Sequence, residues 1–92
     1  MQRVKSNKLF NKTKKMIPGG VNSPVRSFSA VSGSPFIVKK SKGSKIIDID
    51  NNSYIDFIGS WGAMILGHSD KRILKKLSTV LRNGLTYGAP NV

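Results

Sequence analysis

The stretch that decides the fold is residues 36–58, FIVKKSKGSKIIDIDNNSYIDFI. Three short runs rich in β-branched and aromatic residues, at 36–40, 45–49 and 54–58, alternate with two turn signals. Gly43 can take a positive φ in the first turn, and Asn51 tolerates the left-handed region in the second. Because connections this short join neighbouring strands in opposite directions, the stretch predicts a three-stranded antiparallel meander.

A short amphipathic helix is predicted before this meander, over residues 6–17. Leu9, Phe10, Thr13, Met16 and Ile17 recur there at helical spacing. Ser6 is the expected N-cap, because its hydroxyl can accept a hydrogen bond from an unpaired amide of the first turn. The Pro-Gly-Gly that starts at Pro18 ends the helix.

A second amphipathic helix is predicted after the meander. Ser69 or Asp70 caps its start, and Gly84 is a natural residue just past its end. One face of this helix is apolar and carries Ile73, Leu74, Leu77, Val80 and Leu81.

The loop over residues 21–35 lacks any period and is rich in Pro, Gly and Ser. Loops of this length in compact domains are usually functional or disordered. It contains Arg26, the only arginine between Arg3 and Arg72 in a chain that otherwise uses lysine. A guanidinium matches a carboxylate with two parallel hydrogen bonds, which an ammonium cannot do. Arg26 is therefore either an anion-binding residue or an ordinary surface arginine.

The loop over residues 59–68, GSWGAMILGH, is apolar and punctuated by glycines. This composition predicts a tight, partly buried loop. Trp61 is either a core residue or a flat wall for a ligand. His68, beside a helix start, is favoured as a capping or packing residue over a catalytic one.

Composition excludes several kinds of site. The chain has 92 residues, no cysteine and one histidine, so disulfides, thiolate zinc sites, cysteine nucleophiles and multi-histidine metal sites are excluded and no metal is predicted. Its longest apolar runs are far too short for a membrane span, and no secretory signal is visible. We therefore expect a cytoplasmic protein with no membrane partner.

The net charge of +12 admits two interpretations. A strongly basic chain is attracted to polyanions, which would make it a small nucleic-acid-binding module. The favoured alternative is a lysine-rich composition with solvated lysines on ordinary faces. The lysines are spread along the chain, and no patch of arginines interleaved with aromatics is present.

Several motifs together resemble one enzyme family. Residues 18–26, PGGVNSPVR, and residues 59–68 resemble the N-terminal signature of the glutamate-1-semialdehyde 2,1-aminomutases. Residues 48–56, DIDNNSYID, resemble a hairpin of the wider class III aminotransferases, with Asn51 where those proteins carry glycine. Residues 88–90, GAP, match in position and order, so the resemblance runs from about residue 8 to residue 90.

The resemblance implies an α/β fold of the type I pyridoxal-phosphate-dependent transferases. This chain corresponds to its N-terminal segment, a helix, a loop, the meander and a helix, with residues 1–92 belonging to the small domain and leading into the cofactor domain. The lysine that binds pyridoxal 5'-phosphate as a Schiff base is expected beyond Val92. We therefore expect no catalytic and no cofactor-binding residue here, and a fragment that is inactive and partly molten by itself.

The resemblance also implies a function for the whole protein. The family isomerises glutamate-1-semialdehyde to 5-aminolevulinate for tetrapyrrole biosynthesis, and its members are homodimers. Matched by position, Arg26 would bind the substrate carboxylate, Ser23 would add a hydrogen bond, and Trp61 would form a wall of the substrate pocket. We expect the Arg26 and Trp61 side chains to converge on one small acid.

Overall fold

The computed structural model describes all 92 residues. Its elements follow the predicted order of helix, loop, meander and helix. In chain order they are α1 (Val4–Thr13), two short 3-10 helices (Pro18–Gly20 and Pro24–Ser27), β1 (Val38–Lys42), β2 (Lys45–Asp48), β3 (Ser53–Ile55), α2 (Lys71–Val80) and a last 3-10 helix (Leu81–Asn83).

The three strands form one antiparallel sheet in the order β1-β2-β3, as predicted. The first turn is tighter than predicted, because Lys42 pairs with Lys45 and only two residues connect the strands. With Gly43 at φ 56°, such a turn follows the twist of the strands and extends the pairing to residue 42. Strand β1 therefore covers residues 38–42 instead of 36–40. Asn51 takes the predicted left-handed conformation, at φ 68°.

Strand β3 ends at Ile55, three residues before the predicted end. The carboxylate of Asp56 accepts hydrogen bonds from the backbone N–H groups of Ile58, at 2.9 Å, and Gly59, at 3.0 Å. Such a turn competes with the strand ladder for the backbone donors. The chain therefore leaves the sheet at Asp56 and enters the loop that carries Trp61.

The prediction that Ser6 is the N-cap of α1 is wrong. The helix begins at Val4, and Ser6 lies inside it, fully buried. The capping carboxylate comes from Asp50, which accepts hydrogen bonds from the N–H of Lys5 at 2.7 Å, the N–H of Ser6 at 2.8 Å and the Ser6 hydroxyl at 2.8 Å. A residue of the second hairpin turn thus holds the first turn of α1, which explains the earlier start.

Helix α1 also ends earlier than predicted, at Thr13. Ile17 precedes Pro18 and is extended, at φ −132° and ψ 131°, because the proline ring disfavours helical geometry in the preceding residue. The Thr13 hydroxyl donates to the carbonyl of Gly20 at 2.9 Å, folding the chain back on the helix. Gly20, at φ 76°, packs on the Phe10 ring so closely that a Cβ would lie 2.7 Å from Cε2.

Little of the chain is buried. Five of its 92 residues lie in the interior, and Phe10 is the single large hydrophobic residue among them. The predicted apolar face of α2 is about half exposed; its members Ile73, Leu74, Leu77, Val80 and Leu81 keep 47% to 55% of their surface accessible. The fold therefore presents a large apolar surface instead of enclosing it. No helix combines the length and apolar character needed to cross a membrane.

The other buried centre is the carboxylate of Asp48, at the end of β2. It accepts hydrogen bonds from the Tyr54 hydroxyl at 2.9 Å, the N–H and side-chain amide of Asn52 at 2.8 and 2.9 Å, and the N–H of Asp50 at 2.9 Å. Burial raises the pKa of Asp48, but these hydrogen bonds outweigh it and hold the pKa below its usual value. This centre fixes the second turn and thereby the position of Asp50.

Candidate functional site

The first predicted site segment surrounds Arg26. Pro24 opens a 3-10 turn, the N–H of Arg26 donates to the Ser23 carbonyl at 3.0 Å, and the Ser27 hydroxyl donates to the Pro24 carbonyl at 2.7 Å. The Nη1 atom of Arg26 donates to the side-chain oxygen of Asn22 at 2.9 Å. Both the backbone and the guanidinium of Arg26 are therefore held by neighbours within its own loop.

Most donors of the Arg26 guanidinium remain free. The side chain is exposed and forms no ion pair with any of the four aspartates. Asn22 engages one of its five N–H donors, and the edge that includes Nη2 and Nε makes no hydrogen bond within the chain. The Ser23 hydroxyl also has no hydrogen-bond partner in the chain. Ser23 is the residue whose backbone carbonyl accepts from the N–H of Arg26. The turn can accordingly present a cation and a hydroxyl to an anion.

The second predicted segment is the loop of residues 59–68, called here the tryptophan loop. It begins with four successive residues at positive φ: Gly59 at 55°, Ser60 at 52°, Trp61 at 62° and Gly62 at 89°. This conformation is unfavourable for residues with a Cβ, so Ser60 and Trp61 are strained. The Trp61 side chain is 71% exposed and its ring contacts no other aromatic ring or cation. The strained turn thus presents the indole outward and does not bury it in a core.

The side chains of Asp56 and His68 form a hydrogen bond at the base of the tryptophan loop that sequence analysis does not predict. His68, expected to be a capping or packing residue, places Nε2 2.5 Å from Oδ2 of Asp56, with side-chain exposures of 13% and 9%. The hydrogen bond from His68, with those from the N–H groups of Gly59 and Ile58, holds the pKa of Asp56 below its usual value. Twelve residues separate the two side chains, and no local motif in the sequence marks that pairing.

The three predicted substrate residues fall into two groups. Ser23 and Arg26 share one turn, whereas Trp61 lies on the tryptophan loop, and no hydrogen bond or ring contact connects the two groups. The convergence of Arg26 and Trp61 therefore stays a prediction. An open apolar cleft of about 630 Å³ runs between residues 63–69 and α2, and it is lined by none of the three.

The chain holds no buried, unpaired polar group that would mark a pyridoxal-phosphate site. All its lysines are exposed. Each of the four aspartates already accepts hydrogen bonds from backbone N–H groups. They stabilise the second turn (Asp48), the start of α1 (Asp50), the start of the tryptophan loop (Asp56) and the start of α2 (Asp70). The expectation that the cofactor-binding residues lie beyond Val92 stays a prediction.

Comparison with known proteins identifies close relatives along almost the whole chain. A family profile described as "Aminotransferase class-III" matches residues 28–89. A glutamate-1-semialdehyde 2,1-aminomutase from Acetivibrio thermocellus is 58% identical over 89 residues, which cover 97% of this chain and 21% of that protein. The protein of the same name from Ruminiclostridium cellulolyticum is 55% identical over 87 residues, which cover 95% and 20%. The chain spans about a fifth of the length of the curated relatives it matches.

Solved structures agree with this placement. A structure described as a transaminase with PLP bound superposes with a TM-score of 0.84 at 27% identity and covers 99% of this chain and 21% of its own. A glutamate-1-semialdehyde aminomutase from Pseudomonas aeruginosa superposes with a TM-score of 0.82 at 20% identity, covering 97% and 19%. The second likeness concerns the fold alone. The predicted fold class, the N-terminal segment of a type I pyridoxal-phosphate-dependent transferase, is confirmed.

Proposed function

This chain belongs to the class-III aminotransferase family, and from that premise we propose that it supplies the substrate-binding N-terminal segment of a glutamate-1-semialdehyde 2,1-aminomutase. The whole protein would convert glutamate-1-semialdehyde to 5-aminolevulinate. The observation that carries the proposal is the high identity, along nearly the entire chain, to relatives that bear this name.

Arg26 is proposed to bind the substrate carboxylate. Its guanidinium is exposed, forms no salt bridge and is oriented by the hydrogen bond to Asn22. Its backbone is fixed by the turn that Pro24 opens. Pre-positioning of this kind lowers the entropy lost when a small anion is bound. Two parallel hydrogen bonds from the free edge would fix the direction of the substrate as well as its charge.

Ser23 and Trp61 are proposed to complete the substrate contacts. The free Ser23 hydroxyl lies on the same turn as Arg26 and can donate to the same carboxylate. The exposed indole of Trp61 offers a flat apolar face, which would exclude water from one side of the substrate. The strain of the turn that carries Trp61 supports a functional role, because strained backbone is concentrated at functional sites.

The remaining properties of the whole protein are part of the same proposal. Pyridoxal 5'-phosphate is its cofactor, bound by residues that this chain does not contain. Residues 1–92 form part of the small domain next to the cofactor domain. The whole protein is a homodimer in the cytoplasm, supplies tetrapyrrole biosynthesis, and takes a small molecule and not a nucleic acid as its partner. These statements rest on the resemblance to the aminomutases.

A chimeric enzyme tests the proposal directly. The 89 matched residues of the Acetivibrio thermocellus aminomutase are replaced by the corresponding residues of this chain. We expect the chimera to fold, to bind pyridoxal phosphate with the usual absorbance of the bound cofactor, and to form 5-aminolevulinate from glutamate-1-semialdehyde.

The relative without its matched region is the control and should be inactive. A chimera that folds and binds the cofactor but does not turn over glutamate-1-semialdehyde would refute the proposed substrate. If the chimera instead turns over other amino donors, the chain belongs to an enzyme of the same family with a different activity.

A further inference from the structure

We propose that Asp56 and His68 act as positioning residues, a clip that closes the tryptophan loop at its base and thereby holds Trp61 in its strained, outward-facing conformation. The part of the proposal that concerns the loop conformation is argued from contacts within this chain alone. The consequence for substrate binding rests on the function proposed above.

The clip joins the two ends of the tryptophan loop. At the first end, Oδ1 of Asp56 accepts from the N–H groups of Ile58 and Gly59, at 2.9 and 3.0 Å. At the second end, Oδ2 of the same carboxylate contacts Nε2 of His68 at 2.5 Å. One carboxylate therefore fixes both where the chain leaves β3 and where it returns.

The sheet anchors the clip on each side. The N–H of His68 donates to the carbonyl of Gly43 at 2.8 Å, and the N–H of Gly43 donates back to the carbonyl of His68 at 2.8 Å. The N–H of Asp56 donates to the Ser44 carbonyl at 2.8 Å. Both members of the pair are thus attached by backbone hydrogen bonds to the same two-residue turn between β1 and β2.

Within the loop, only a few hydrogen bonds oppose the strain. The N–H groups of Gly62, Met64 and Gly67 donate to the carbonyls of Ile58, Gly59 and Met64, at 3.1, 2.9 and 2.9 Å. Left-handed conformation at Ser60 and Trp61 is unfavourable in a free chain. Trp61 is 71% exposed and its ring stacks on no other aromatic ring or cation, so little packing holds it, and the loop conformation depends on its closed base.

Hydrogen exchange on the chimeric enzyme measures whether the base controls the loop. His68→Ala removes the clip, and His68→Gln replaces the ring by a side-chain amide that can still donate to Asp56. Arg72→Ala is the matched control, because it breaks the salt bridge to Asp70 at the start of α2 and leaves Asp56 and His68 untouched. Exchange is followed by mass spectrometry in peptides from residues 59–67, with peptides from α2 as the internal reference.

The expected result is local. His68→Ala should speed exchange in residues 59–67 roughly ten- to a hundredfold, the loss expected for one hydrogen bond to a charged group, and leave α2 unchanged. His68→Gln should restore most of the protection, and Arg72→Ala should leave the loop unchanged. Exchange in residues 59–67 that stays within about twofold of the parent after His68→Ala would overturn the proposal.

Kinetics of the same variants separate this proposal from the proposed function. His68→Ala should raise the Michaelis constant for glutamate-1-semialdehyde about tenfold with a smaller change in kcat, and His68→Gln should reverse this. If Trp61→Ala raises the Michaelis constant but His68→Ala does not, the clip does not position Trp61 and the proposal is wrong. If exchange responds as expected but Trp61→Ala changes neither constant, the clip stands and the substrate role of Trp61 fails.

A His68→Ala chimera that also loses protection in α2 has unfolded beyond the loop. The His68→Gln variant then decides, since it keeps the side-chain volume and the donor. Protection of the loop in His68→Gln equal to that of the parent supports the clip. Loss of protection in residues 59–67 and in α2 alike in that variant would show that His68 acts on the whole fold and would contradict the clip.

Discussion

Replacing Arg26 by lysine in the chimeric enzyme should weaken binding of the substrate carboxylate without disturbing the fold. The guanidinium is exposed, is held by one hydrogen bond to Asn22, and keeps the edge with Nη2 and Nε free. Lysine retains the positive charge, but it offers a point contact in place of the fork and loses the geometry of the Asn22 bond. The substitution therefore removes one direct contact to the substrate, the second, parallel hydrogen bond.

The magnitude follows from that single lost contact. A hydrogen bond between charged groups contributes about 1.5–3 kcal/mol, which corresponds to a roughly ten- to hundredfold rise in the Michaelis constant. If the carboxylate is held equally in the ground state and the transition state, kcat stays near its original value. Asn22→Ala, which frees the guanidinium but keeps both parallel bonds, should have a smaller effect, about a few fold.

The assay is steady-state formation of 5-aminolevulinate at varied glutamate-1-semialdehyde concentration. Arg82→Lys is the control, because Arg82 is also exposed, lies in the 3-10 helix after α2 and is distant from the turn in sequence. The reasoning is refuted if Arg26→Lys leaves both constants unchanged, or if Arg82→Lys raises the Michaelis constant to the same extent.

Four further outcomes are expected. The hydrogen bond from Arg72 lowers the pKa of Asp70 to about 2, so the Asp70 carboxylate caps α2 fully above pH 3.8 and loses this capping as pH falls toward 2. The helical circular dichroism signal should weaken over that range, and it should weaken less in Asp70→Asn, whose side chain caps the helix without titrating. Gly67→Ala should destabilise the chimera by at least about 1 kcal/mol more than Gly62→Ala in denaturant unfolding, because a Cβ at 67 would lie 2.9 Å from the Gly43 oxygen whereas one at 62 meets nothing within 4 Å; equal effects would count against this close approach. The isolated chain, with five of its 92 residues buried, should bind the dye ANS and unfold without a sharp thermal transition, and cooperative unfolding would contradict this. Its exposed lysines should bind duplex DNA without base preference, with affinity falling about a thousandfold between roughly 50 and 200 mM salt, whereas base-selective binding that persists would favour the nucleic-acid-binding alternative.

Several elements could be predicted from the sequence because their signals are local. Asp70 caps α2 through the N–H groups of Arg72 and Ile73, two and three residues ahead. Gly43 and Asn51 take the positive φ values that their turns require. The resemblance to the class III aminotransferases was also readable, because its motifs are contiguous runs of residues. The substrate roles of Ser23, Arg26 and Trp61, which came from that resemblance, are still predictions.

What only the tertiary structure decided is the long-range use of the carboxylates. Asp50 caps α1 across 44 residues, and Asp56 pairs with His68 across twelve. Helical and strand periodicity report backbone preferences within a few residues, and they carry no information about which polar groups a distant turn will bring together. The start of α1 was therefore misplaced, since it is fixed by Asp50 from the second turn of the sheet. The end of β3 was misplaced for a local reason, the turn in which Asp56 accepts from the N–H groups of Ile58 and Gly59.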